Sequence, residues 1–62
     1  MRKFYVVYRY ILYGDLYGDR YGEYIISLNE NEKANQETFN KKLMADIGGT
    51  DKTVITWSLI EE

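Results

Sequence analysis

The sequence predicts one α+β domain over residues 1–62, with a three-stranded antiparallel sheet and a single helix in the order ββαβ. Two observations predict it. Three segments rich in aromatic and β-branched residues alternate with a period of two, and one segment repeats apolar residues every four positions. A hairpin followed by a crossover through the helix gives the strand order 2-1-3. The helix then covers one face of the sheet.

The first strand is predicted over residues 3–13. One of its faces carries Phe4, Val6, Tyr8 and Tyr10, and the other carries Tyr5, Val7, Arg9 and Ile11. Because both faces are largely apolar, we expect this strand in the centre of the sheet.

A Tyr-Gly-acid unit then occurs three times at a four-residue spacing. The units begin at Tyr13, Tyr17 and Tyr21, and their acids are Asp15, Asp19 and Glu23. Glycine and aspartate favour turns, which indicates a hairpin connection. Tyrosine offers a large contact area at low entropic cost, which indicates a binding loop instead. The sequence leaves both interpretations open.

The second strand is predicted over residues 23–28, with Tyr24, Ile26 and Leu28 facing the helix. Residues 29–34 are polar and are expected to form a loop.

The helix is predicted to begin after an N-cap at Asn35 and to end at the Gly48-Gly49 pair. Its buried stripe is Phe39, Leu43 and Ile47.

The third strand is predicted over residues 53–60. Its alternation places Ile55, Trp57 and Leu59 towards the helix and Val54 on the opposite face.

Composition excludes several kinds of chemistry. The chain has no cysteine and no histidine, so disulfides, thiol nucleophiles, imidazole bases and the usual zinc ligand sets are excluded. The carboxylates Asp15, Asp19 and Glu23 are the remaining acid–base candidates, but glycine-flanked acids in a solvated turn form no desolvated cleft. Their spacing also differs from that of a calcium-binding EF-hand loop. We therefore expect no enzyme, no cofactor and no metal site.

The uncovered sheet face and the tyrosine turn are predicted to bind a protein partner. A chain of 62 residues buries too little apolar surface to be more than marginally stable alone, so a partner or a second copy in a homodimer would stabilise it. The predicted partner-binding residues are Tyr5, Val7, Arg9, Ile11, Tyr13, Asp15, Tyr17, Asp19 and Tyr21.

Two alternative functions remain open. Nucleic-acid binding would use the basic, aromatic first strand, with Arg2, Lys3, Tyr5 and Arg9. The net charge of −2 creates no global field that favours nucleic acid or an anionic membrane. The second alternative is a structural or virion component. We expect no membrane span, and the lack of cysteine fits a reducing cytosol.

The strand and turn segments together resemble short accessory proteins encoded by bacteriophages and prophages. The likeness lies in Phe4-Tyr-Val-Val-Tyr8, the glycine-punctuated turn, Ile25-Ile-Ser-Leu28, the short helix and Val54-Ile-Thr-Trp57. The resemblance implies a cytoplasmic protein, made in an infected host, that binds and blocks a host protein such as a restriction or CRISPR component. It supplies no site motif, so no functional residue is carried over from it.

Overall fold

The computed structural model describes residues 1–11, 19–48 and 51–62. The elements are β1 (Arg2–Ile11), β2 (Asp19–Leu28), α1 (Gln36–Ile47) and β3 (Lys52–Glu61). β1 lies between the other two strands and is antiparallel to both, so the strand order is β2-β1-β3. This confirms the predicted α+β fold with its ββαβ order.

β2 begins four residues earlier than predicted, because the third Tyr-Gly-acid unit belongs to the strand. Its pairing with β1 runs without a shift from Arg2 opposite Leu28 to Ile11 opposite Asp19. Gly22 is accommodated because it lies opposite Tyr8, whose ring occupies the space where a Cβ of residue 22 would stand. An aromatic ring laid across a strand glycine restores the packing that the missing side chain would supply.

α1 begins and ends as the sequence predicts. The Asn35 side chain accepts a hydrogen bond from the Thr38 amide at 2.9 Å, and Gly48 ends the helix with φ of 76°. Phe39 and Leu43 are fully buried. The prediction for Ile47 is wrong: it is 38% exposed, and it is the last residue of α1.

The core lies between α1 and one face of the sheet. Its buried members are Phe4, Val6, Ile26, Leu28, Phe39, Leu43 and Val54. The rings of Phe4 and Phe39 meet edge-on, with centroids 5.2 Å apart. The even-numbered residues of β1 and β2 thus face the helix, as their alternation predicts.

The alternation predicts that Ile55 faces the helix and that Val54 faces the opposite side. This prediction is wrong, because β3 contains an irregularity. Its register against β1 shifts by one residue between Val7, which lies opposite Thr56, and Tyr8, which lies opposite Val54. Ile55 is therefore an extra residue that is 43% exposed, whereas Val54 turns towards the helix and is fully buried. A strict period of two cannot anticipate this inversion.

Trp57 and Leu59 lie opposite Val6 and Phe4 and so face the helix side, as predicted. They are nevertheless 38% and 45% exposed, because β3 is at the edge of the sheet. The Trp57 ring packs against Phe39 with centroids 5.1 Å apart. Trp57 is therefore a partly exposed flank of the core.

Candidate protein-binding surface

The face of the sheet opposite α1 is uncovered within the described ranges, and we call it the open face. Its members are Lys3, Tyr5, Val7, Arg9, Ile11, Tyr21, Glu23, Ile25, Ser27, Thr53, Thr56 and Ser58. The predicted outward positions on β1 and β2 are thus where the sequence places them. Val54 is the exception, because the irregularity at Ile55 turns it to the helix side.

Three rows of side chains cross the open face from β2 to β3. The rows are Ile25-Tyr5-Ser58, Glu23-Val7-Thr56 and Tyr21-Arg9-Thr53. The part formed by β1 and β2 is consequently mostly apolar and aromatic, and the part formed by β3 is a column of hydroxyl groups. Such an apolar area with a polar margin is typical of a protein contact surface.

The apolar centre of the open face consists of Tyr5, Val7 and Ile25. Ile25 is 56% exposed, and Ile11 and Tyr21, further along the strands, are 58% and 60% exposed. These side chains are on a paired, regular part of the sheet, so their positions are fixed by the ladder rather than by a flexible loop.

The Glu23 carboxylate influences the Tyr5 hydroxyl. Hydrogen bonding to this carboxylate is the main reason that the pKa of Tyr5 lies above its usual 10.0, with partial desolvation and the carboxylate charge adding to it. Tyr5, Glu23, Tyr24 and Ile25 line a shallow depression in the surface. Tyr5 is half-buried and forms part of the wall of this depression.

The basic residues at the start of the chain are divided between the two faces. Lys3 lies on the open face, with its Nζ 3.8 Å from Glu61 Oε2. Arg2 lies on the helix side, where it donates hydrogen bonds to the carbonyls of Asn29 (2.9 Å) and Glu32. The set proposed for nucleic-acid binding is therefore not gathered on one surface.

The tyrosine repeat contributes its third unit to the open face. Tyr21 lies opposite Arg9, and Asp19 begins β2 opposite Ile11. The predicted site residues Tyr13, Asp15 and Tyr17 fall outside the described residues. Tyr21 is part of strand β2, which pairs antiparallel with β1, so the third unit of the repeat lies in a strand and not in a loop.

Sequence reasoning left Glu23 and the hydroxyl column on β3 out of the candidate site, although its alternation already placed Glu23, Thr56 and Ser58 on the outward face. Extending the second strand backwards would also have placed Tyr21 on the open face.

The described ranges contain no group of three or more acidic, histidine or cysteine side chains that could hold a metal ion. No helix in this part of the chain is both long and apolar enough to cross a membrane. No protein-family model, curated protein or solved structure matches the chain.

Proposed function

We propose that this chain is a small, non-enzymatic binding module whose open face docks on a partner protein. The observation that carries the proposal is the apolar centre of the open face on a regular sheet, in which Ile25 is exposed and Tyr5 and Val7 are half-buried. A contiguous apolar surface with a polar margin is a common mark of an interaction site. The partner that best fits the phage resemblance is a host protein, which the module would bind and inhibit in the cytoplasm.

The open face is suited to binding because it is already ordered. Its side chains project from regularly paired strands, so little backbone entropy is lost when a partner covers them. Tyrosine is also enriched at the energetic centres of protein interfaces. We therefore expect Tyr5 and Val7 to contribute more to binding than the surrounding polar residues.

The charges on the open face favour a protein over a nucleic acid. Glu23 lies beside Tyr5, and Glu61 lies beside Lys3, so acidic groups accompany the aromatic and basic positions that would contact phosphates. Arg2 is engaged on the other side of the sheet. A role as a virion component would use the same surface and would differ only in the partner.

The test is affinity capture from bacterial lysate with two matched variants. The first combines Val7→Glu with Ile25→Glu on the open face, and the control combines Met44→Glu with Ile47→Glu on exposed positions of α1. We expect the wild type and the α1 control to retain a stoichiometric protein and the open-face variant to lose it. Circular dichroism of each variant verifies that it is folded.

Three outcomes would contradict the proposal. They are capture of no stoichiometric protein by the wild type, equal capture by the open-face variant, and capture that nuclease treatment abolishes. The last would favour nucleic-acid binding, and co-purification with virus particles would favour the structural alternative.

A further inference from the structure

The outer edge of β3 is a second exposed surface of the described residues, distinct from the open face. β3 pairs with β1 on one side only, and its large apolar side chains Ile55, Trp57, Leu59 and Ile60 are 43%, 38%, 45% and 53% exposed. A ten-residue apolar edge strand is a template for pairing with another strand. We call this surface the β3 edge.

The backbone of Val54 shows which residues of β3 direct their polar groups outward. Its N–H donates to Asn40 Oδ1 at 2.7 Å, and its carbonyl accepts from Gln36 Nε2 at 2.7 Å. Both backbone groups of Val54 are therefore bonded to the helix and not to β1. The pair formed by Val54 and Tyr8 is therefore a non-hydrogen-bonded pair of the ladder.

The same alternation continues along β1. Val6 and Phe4 are two and four residues from Tyr8, so their pairs with Trp57 and Leu59 are also non-hydrogen-bonded. Trp57 and Leu59 thus direct their N–H and C=O groups away from β1, towards the β3 edge. No helix side chain among the described residues is seen to cap these groups as Val54 is capped.

We propose that two copies of this chain pair through their β3 edges, antiparallel, about a two-fold axis at Ser58. Trp57 of one copy then lies opposite Leu59 of the other, and their outward backbone groups exchange hydrogen bonds across the axis. Both residues face the helix side, so an aromatic and an aliphatic side chain meet twice across the interface. The sheet extends to six strands.

This register fits the rest of β3. It uses the regular stretch between the two register shifts and leaves the capped Val54 outside the central pairs. Glu61 of one copy lies opposite Ile55 of the other, so the two Glu61 carboxylates are about 20 Å apart at about 3.4 Å per residue. That exceeds the Debye length of about 10 Å at 0.1 M salt, so the acids do not oppose pairing.

The contact is small. The exposed apolar side chains of the β3 edge offer on the order of 300 Å² per copy, against about 800 Å² per partner in a stable interface. A reversible dimer with a dissociation constant of about 10–100 μM is expected. This inference adds a second copy to the proposed function, but its test needs only the purified chain, so it succeeds or fails independently of any captured partner.

A single cysteine tests the register, since the chain has none of its own. In the proposed pairing the two Ser58 residues form a non-hydrogen-bonded pair with Cα atoms about 4.5 Å apart, within the range of a disulfide. The matched control is Thr56→Cys, on the same strand and face, whose two copies would be about 14 Å apart. We expect Ser58→Cys to form a disulfide-linked dimer on mild oxidation and Thr56→Cys to remain uncrosslinked.

Sedimentation of the unoxidised protein tests whether the β3 edge is the surface through which two copies associate. We expect the wild type to pass from a 7.4 kDa monomer to a dimer as concentration rises, and Leu59→Lys to weaken the association at least tenfold. Ile25→Lys, the same charge on the opposite edge strand, should leave it unchanged. A wild type that stays monomeric, a dimer lost through Ile25→Lys instead, or equal crosslinking of the two cysteine variants would overturn the proposal.

Discussion

The two faces of the sheet carry the same residue types with opposite consequences. Val6 and Val7 are neighbours on β1, yet Val6 is fully buried against the helix and Val7 is only partly covered. On β2, Ile26 is 2% exposed and Ile25 is 56% exposed. The residue type does not explain why one member of each pair is buried and the other is not. The members differ because neighbouring side chains of a strand point to opposite faces and the single helix covers only one face. The apolar residues of the open face are therefore not explained by the packing of the core.

The largest expected effect is a difference between the two isoleucines of β2. Ile26→Ala should cost about 2–5 kcal/mol of unfolding free energy, because it leaves a cavity in the core. Ile25→Ala should cost less than about 1 kcal/mol, since water already contacts the side chain. Urea denaturation followed by circular dichroism measures both, and equal losses would mean that something covers the open face.

A smaller effect is expected where the helix side of the sheet extends to Gly22. Gly22→Ala should destabilise by about 1 kcal/mol, because the new methyl group displaces the Tyr8 ring. In a Tyr8→Ala background the same change should be neutral or stabilising, since alanine is preferred over glycine in a strand by about 0.5–1 kcal/mol. The double-mutant cycle is measured by thermal unfolding. Additive effects would show that the ring and the glycine are not coupled.

The helix that distinguishes the two faces depends on its N-cap. Asn35→Ala should cost about 1 kcal/mol, because the Thr38 amide loses its acceptor. Asn35→Asp is the matched control and should retain most of the stability, since aspartate caps equally well. If alanine were as stable as aspartate in chemical denaturation, the cap would not contribute to holding α1 on the sheet.

The smallest expected effect is a dependence on acid pH that originates on the helix side. The Asn29 amide at 3.0 Å, the Lys42 ammonium at 2.9 Å and the charge of Arg2 hold the pKa of Glu32 below its usual 4.5, against partial desolvation. Because the folded-state pKa is lowered, the stabilisation is present above pH 4.5 and is lost as pH falls through the folded pKa.

Denaturation midpoints between pH 7 and pH 3 measure this dependence. Glu32→Gln should reduce the loss of stability in the acid range relative to wild type, and Glu30→Gln, on the same loop, is the control that should leave it unchanged. A Glu32→Gln profile identical to that of the wild type would contradict the assignment.

The alternation in β1 and β2 was sufficient to predict their faces from the sequence. Side chains of an unbroken ladder follow a period of two, and the pairing from Arg2 to Ile11 contains no shift. The position of the open face, with Tyr5, Val7 and Ile25 on it, followed from that period alone. The helix was equally predictable, because Asn35 and Gly48 are local signals that need no tertiary information.

The prediction failed in β3 because its irregularities depend on pairing. Both register shifts occur where two aliphatic residues are adjacent, at Val54-Ile55 and Leu59-Ile60. Such a pair satisfies either face, so the sequence does not determine which residue turns inward. Here Asn40 and Gln36 bind the backbone of Val54, and these bonds determine that Val54, and not Ile55, turns inward. This is a contact between distant parts of the chain.

The most direct test of the account measures the solvent accessibility of the matched methyl groups in solution. A soluble nitroxide added to the dilute, methyl-labelled protein broadens the NMR signals of exposed methyl groups. We predict strong broadening for Ile25 and clear broadening for Val7, with Ile26 and Val6 almost unaffected. Equal protection of Ile25 and Ile26 in the monomer would show that the second side of the sheet is sheltered, and the assignment of that side to docking would then fail.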